Sequence, residues 1–149
     1  MSSVKMLKGL GLLCWSTIYV GFKKGWLKPK DVIDYAVSLL MADNDDEAVV
    51  LIAGGEFLND EELLNLVSHQ VQNIDEAAAL EKWRLADLLC VAESESNDQE
   101  KLDNLQEVYA KFEYPEDMKS CSIYSQNGMD PLLAMVQVVK ELKRKYLLE

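Results

Sequence analysis

The sequence is short of the residues that carry most enzyme chemistry. It has one histidine, His69, and three cysteines, Cys14, Cys90 and Cys121, far apart and odd in number. Nucleophilic catalysis needs a nucleophile with a base beside it, and no glycine-flanked serine or cysteine elbow occurs. One helical turn from His69 stand Asn65 and Asn73, neither a good metal ligand or proton partner. A zinc site would require at least two more ligands at suitable spacing, and none offers itself. The cysteine count fits reduced thiols in a cytosolic protein better than a secreted disulfide scaffold. Gly54-Gly55 is followed by Glu56, so it reads as a helix end and not as a phosphate loop. These absences predict no catalytic residue, no metal site and no cofactor.

Long hydrophobic runs are also missing. Lys5 and Lys8 precede Gly9-Leu10-Gly11-Leu12-Leu13-Cys14-Trp15, which has the outline of a signal peptide. The run is interrupted by Ser16, Thr17 and Tyr19, no small-x-small cleavage site follows, and Leu13 stands where a lipoprotein signal wants a small residue. A bilayer span needs roughly 20 apolar residues, more than are here. The expectation is an untargeted N-terminus, a cytoplasmic protein and no membrane partner.

Only three prolines and seven glycines are available to interrupt helices. Apolar residues recur three and four apart in Val32-Ile33-Tyr35-Ala36-Leu39-Leu40, in Leu63-Leu64-Leu66-Val67-Val71 and in Leu80-Trp83-Leu85-Leu88-Leu89. Leu132-Leu133-Met135-Val136-Val138-Val139-Leu142 then runs into Lys140, Lys143, Arg144 and Lys145, cations that suit the negative end of a helix. No stretch shows the period-two alternation of a half-buried strand. The fold class is all-α, a single domain over 1–149 of about seven helices in stacked helical hairpins. Their spans are roughly 4–24, 29–42, 45–54, 60–71, 74–93, 98–113 and 130–147, with a short turn of helix near 116–121.

Start signals recur. Four times an Asn precedes a Glu by three residues: Asn44 and Glu47, Asn59 and Glu62, Asn73 and Glu76, Asn97 and Glu100. An Asn side chain can cap the free N–H groups of a first turn while the Glu reaches back to the cap residue's own N–H. Pro115 and Pro131 sit where helices would begin, and stops fall at Gly25, at Gly54-Gly55 and at Asn127-Gly128. The run Asp43-Asn44-Asp45-Asp46-Glu47 resembles the opening of a calcium loop. Such a loop needs Gly at its sixth position and Glu at its twelfth, where this sequence has Ala48 and Gly54, so capping is the better account.

Aromatic residues fall into two groups. Trp15, Tyr19, Phe22 and Trp26 recur at helical steps and read as a core seam against Val32, Ile33 and Tyr35, with an exposed ridge as the other reading. Tyr109, Phe112, Tyr114 and Tyr124 surround Pro115 and suit either a core lid or an interface.

The formal net charge is −11, and it is unevenly spread. Between residues 43 and 117 the only basic side chains are Lys82, Arg84, Lys101 and Lys111, against a long series of carboxylates. Phosphate binding needs clustered Lys and Arg, so nucleic acid is excluded as a partner for this stretch. A cationic protein is the natural partner, through long-range steering. The candidate partner-binding residues are Asp43, Asp45, Asp46, Glu47, Asp60, Glu61 and Glu62 at two helix starts, with Glu93 and Glu95 in the loop after a third. The plainer alternative is that these carboxylates only keep the surface solvated.

The stretch Trp15-Ser16-Thr17-Ile18-Tyr19-Val20-Gly21, followed by Asp31-Val32-Ile33-Asp34-Tyr35-Ala36, resembles the opening of a family of small uncharacterised bacterial proteins. That resemblance implies an all-helical fold and a bacterial cytoplasmic origin, and it carries no catalytic residue to transfer. In size, charge and class the chain is also similar to immunity proteins that neutralise polymorphic or contact-dependent inhibition toxins. The expected function is therefore an immunity-type inhibitor, not an enzyme, that binds a cognate basic toxin domain such as a nuclease. A helical adaptor in a bacterial cytoplasmic complex is the alternative.

Overall fold

In the computed structural model the described residues are 2–44, 46–71, 73 and 75–147. They contain eight α-helices, two short 3-10 turns and no strand. The helices are α1 (Ser3–Leu10), α2 (Trp15–Lys23), α3 (Pro29–Met41), α4 (Glu47–Ala53), α5 (Asp60–Ser68), α6 (Glu76–Glu93), α7 (Asp98–Lys111) and α8 (Pro131–Tyr146). The 3-10 turns are Gly55–Phe57 and Glu116–Cys121. The all-helical class is the one expected, and the short turn near 116–121 is where the sequence put it.

The first expected helix, 4–24, is two. Gly11 takes φ 74°, a left-handed conformation that a residue with a Cβ adopts only under strain. Its N–H bonds to the Lys8 carbonyl at 3.1 Å, and the Leu12 N–H reaches back to Leu7 at 3.0 Å. That pair of bonds closes α1 in a Schellman motif and turns the chain away from the axis. Thr17 then opens α2, its hydroxyl accepting from the Cys14 N–H at 2.9 Å. Apolar periodicity runs straight through this junction, which is why it hid the break.

The helices gather into two compact units, Leu13–Ala79 and Met1–Leu12 with Leu80–Glu149. In the first, α2 packs on α3 and α5, α3 on α4, and α4 on α5, with the Gly55–Phe57 turn against α3 and α4. Ile18, Val32, Ala36, Ile52, Leu63 and Val67 are fully buried here. Trp15 meets Tyr35 edge to face, ring centroids 4.8 Å apart, and Phe22 is buried, so the first aromatic group serves mainly as a seam between α2 and α3. At about 25 cal/mol per Å² of apolar surface, each large side chain buried in this way contributes on the order of 2 kcal/mol.

In the second unit, α8 packs on α7 and on the Glu116–Cys121 turn, which also touches α7. The Gln106 side chain fixes the end of that turn, donating to the Cys121 carbonyl at 2.9 Å and accepting from the Ile123 N–H at 3.2 Å. Residues 83–89 of α6 are buried on every side, Arg84 and Asp87 among them. The second aromatic group splits. Tyr109 and Tyr114 meet edge to face at 5.0 Å, while Tyr114 and Tyr124 lie open to solvent.

Candidate functional site

The acidic helix starts owe their shape to capping. Asn59 accepts from the Glu62 N–H at 2.8 Å, and the Glu62 carboxylate accepts from the Asn59 N–H at 3.2 Å, a complete capping box on α5. At α4 the arrangement differs from the expected Asn44–Glu47 box. Asp46 is the cap, accepting from the Ala48 N–H at 2.9 Å, and Asn44 accepts from the Asp46 N–H at 3.2 Å. The helix starts two residues later than a cap at Asn44 would allow, and Asn44 instead forms the turn that feeds it. At α6 Asp75 displaces Asn73, its carboxylate accepting from the Ala78 N–H at 3.0 Å. Asn97 caps α7 through the Glu100 N–H at 2.9 Å.

Asp43, Asp46, Glu47, Asp60, Glu61 and Glu62 are all exposed and belong to the Leu13–Ala79 unit; Asp45 lies outside the described residues. Glu93, the last residue of α6, and Glu95, in the loop after it, are also exposed and belong to the other unit. No ion pair among the described residues involves any of these eight. Lys30, at the start of α3, lies 3.7 Å from Asp34, and no Lys or Arg follows it before Lys82, so α4 and α5 have no cation of their own. Glu61 and Glu62 open on a cleft of about 430 Å³ whose other wall is Tyr19 of α2. Lys23 stands over that ring, 5.9 Å from its centroid.

Sequence reasoning passed over the apolar residues beside these carboxylates. Phe57 is 91% exposed and Met41 83%, and Val37, Val50 and Leu51 also face solvent. On α3 the exposed positions Asp34, Val37 and Met41 follow one another at three and four residues, one stripe along the helix. On α4 the adjacent Val50 and Leu51 lie three and four residues after the exposed Glu47. These helices pack on each other and on the turn that holds Phe57. Periodicity marks apolar residues as core, and only the position of each helix in the packing shows which stripe is left outside.

The second unit gathers its charges into ion pairs. Arg84, 5% exposed, donates to Asp117 at 2.7 Å and lies 3.7 Å from Glu81. Glu81 accepts from Lys145 at 2.7 Å and from the Tyr146 hydroxyl at 2.5 Å. Burial alone would raise the Glu81 carboxyl, but the Lys145 and Tyr146 hydrogen bonds and the Lys145 and Arg84 charges outweigh it and hold it below the usual range. Burial first, then the Glu81 bond, pushes Tyr146 up to about 12. Asp87 accepts from Lys111 at 2.6 Å and from the Ser3 hydroxyl. Asp87 and Lys111 line an open cleft of about 320 Å³ with Cys90, Asn104 and Glu107. Burial raises the Cys90 thiol, Asp87 and Glu93 add to that, and the Ser3 hydrogen bond only partly offsets it. Cys90 therefore stays a protonated thiol near neutral pH, a poor nucleophile. The signal for this network was present in the sequence: Arg84 and Asp87 interrupt a stretch otherwise apolar on all faces.

His69 caps the C-terminus of α5 and is exposed. Among the described residues no group of three or more His, Cys, Asp or Glu is placed to hold a metal ion, and no helix is long and apolar enough to cross a membrane. Comparison with curated proteins and with solved structures finds no match in either. Residues 6–149 match the family described as an uncharacterized protein conserved in bacteria (DUF2247), and the chain belongs to that family.

Proposed function

We propose that the chain is an immunity-type inhibitor that binds the cationic active-site cleft of a cognate toxin domain, such as a nuclease, in the bacterial cytoplasm. The observation that carries this reading is the set of exposed carboxylates at the starts of α4 and α5, which make no ion pair among the described residues, on a segment without Lys or Arg from residue 31 to 81. Capped helix starts fix the backbone from which these carboxylates project, and Asp46 and Glu62 are themselves held by capping bonds. Carboxylates displayed in this way compete for the cations that would otherwise hold substrate phosphates. Their field speeds encounter and selects partners, and apolar contacts set the residence time.

The test has two steps. The tagged chain is used at low salt to capture partners from its own bacterial lysate, and any captured domain is then produced alone and assayed with and without the chain. A basic C-terminal toxin domain, released by salt and silenced by the chain at one-to-one stoichiometry, is the expected result. Recovery of housekeeping subunits that salt does not release would favour the helical adaptor instead.

A further inference from the structure

The apolar stripes of α3 and α4 carry a more specific inference, which rests on reading the acidic face as a protein-binding surface. We propose that Val37, Met41, Val50, Leu51 and Phe57 form a docking surface for a cationic amphipathic helix of the partner. Five of the large exposed apolar side chains, the most exposed of them included, are concentrated on three packed elements, and the rest lie between Tyr114 and Val136 in the other unit; a cluster of this kind marks an interaction site. Two parallel lines of evidence choose the occupant. Met41 stands one turn on from Val37 along α3, and Val50 and Leu51 lie side by side on α4, so two neighbouring helices offer apolar side chains that the apolar face of an amphipathic helix can cover. Carboxylates border the apolar residues, with Asp34 on the α3 stripe, Asp43, Asp46 and Glu47 before the α4 stripe, and Glu56 and Asp60 on either side of Phe57. A partner helix with Lys or Arg along the edges of its apolar face satisfies both features, and an acidic or uncharged helix satisfies only one.

Phe57 and Met41 are the anchors of this surface. Both are almost wholly exposed, so truncation to Ala removes contact area without opening a cavity in the core. The probe is an 18-residue peptide of Leu and Lys with Leu at helical spacing, compared with a permuted peptide of the same composition in which that spacing is destroyed. Binding of each to the full chain is followed by fluorescence anisotropy at two salt concentrations. The amphipathic peptide should bind about tenfold or more tighter than the permuted one, and the Phe57→Ala, Met41→Ala double variant should abolish that preference. Circular dichroism of the variant checks that its helices are intact.

Equal binding of the two peptides, or an unchanged preference in the double variant, overturns the docking surface. Salt-sensitive binding of the permuted peptide would then still stand, leaving the charge-based reading intact. Failure of both peptides to bind would remove the two together. A wild-type chain that sediments as a dimer, and that Phe57→Ala converts to monomer, would show a second copy on this surface and would also overturn the proposal.

Discussion

Arg84 and Asp117 are 33 residues apart in sequence, and the Arg84 guanidinium donates to the Asp117 carboxylate at 2.7 Å from a side chain that is itself only 6% exposed. The pair ties the buried middle of α6 to the Glu116–Cys121 turn. Asp117 is half exposed, so its own desolvation cost is small, while Arg84 would be costly to leave without partners. Asp117→Ala should therefore lower stability by about 1–3 kcal/mol in a denaturant titration. Arg84→Met, which keeps the volume and removes the charge, should cost less than Arg84→Ala. A coupling energy near zero in the Arg84/Asp117 double-mutant cycle would show that the pair adds nothing beyond packing.

Cys121 makes stability fall on the alkaline side. It is fully buried, and burial first, then the Asp117 charge, pushes its thiol up to about 11, with Arg84 pulling the other way. A thiol whose folded pKa is raised contributes stability that is complete below its unfolded value and is lost as pH rises through the folded one. The unfolded value is about 8.5. Stability should thus decline between roughly pH 8.5 and 11, by on the order of 3 kcal/mol. Thermal melts of wild type and Cys121→Val across that range check it, the variant losing this part of the decline. Parallel curves would mean that the thiol titrates normally in the folded chain.

Capping offers a sharper comparison. Asn59→Ala removes the side-chain acceptor of the α5 capping box while leaving the backbone N–H that Glu62 accepts, and should cost about 1 kcal/mol. Asn97→Ala should cost a similar amount. At α6, Asp75→Ala should cost about 1 kcal/mol and Asn73→Ala close to nothing, because Asp75 holds the cap. Equal losses at 73 and 75 would contradict this assignment.

Those four starts also show where sequence reasoning reaches its limit. Asn-x-x-Glu located every one of the four helices to within two or three residues, because the motif is local chemistry. It named the capping side chain at Asn59 and Asn97 and missed it at α4 and α6. There a second acceptor, the carboxylate of Asp46 or Asp75, stands nearer the first helical turn, and the choice between the two depends on where packing starts the helix. The break at Gly11 was hidden for a related reason, since a Schellman turn leaves the apolar rhythm on either side undisturbed. The acidic candidates were legible because their exposure follows from charge. Met41 and Phe57 were not, because exposure of an apolar side chain depends on what the rest of the chain leaves uncovered.

Charge reversal separates steering from solvation. Glu47, Asp60 and Glu61 are exposed and make no ion pair among the described residues, and none accepts a capping bond. Changing all three to Lys should slow association with a captured basic domain by on the order of tenfold or more at low salt. It should also flatten the dependence of that rate on salt, with a smaller effect on dissociation. Stopped-flow association at two ionic strengths measures this. An unchanged rate would reduce the acidic face to solvated surface.

Four helix ends close with the same pair of backbone bonds, yet only two of them use glycine. Gly11 and Gly25 take φ 74° and 80°, while Asp43 follows α3 at 64° and Glu113 follows α7 at 61°. At Asp43 the N–H bonds to Leu40 and the next N–H to Leu39; at Glu113 the partners are Ala110 and Tyr109. A Cβ in the left-handed region costs roughly 1–2 kcal/mol, and glycine removes that strain but frees the unfolded chain by about half as much. Glu113→Gly should therefore stabilise by about 0.5–1 kcal/mol. Asp43→Gly should gain less, because a short polar side chain tolerates this conformation better than a long one. Gly11→Ala and Gly25→Ala, run in the same denaturant series, should each lose about 1 kcal/mol or more. Should Asp43→Gly destabilise instead, the Asp43 carboxylate must hold the turn into α4 by contacts that outweigh its backbone strain, and its place on the acidic face would then be structural first.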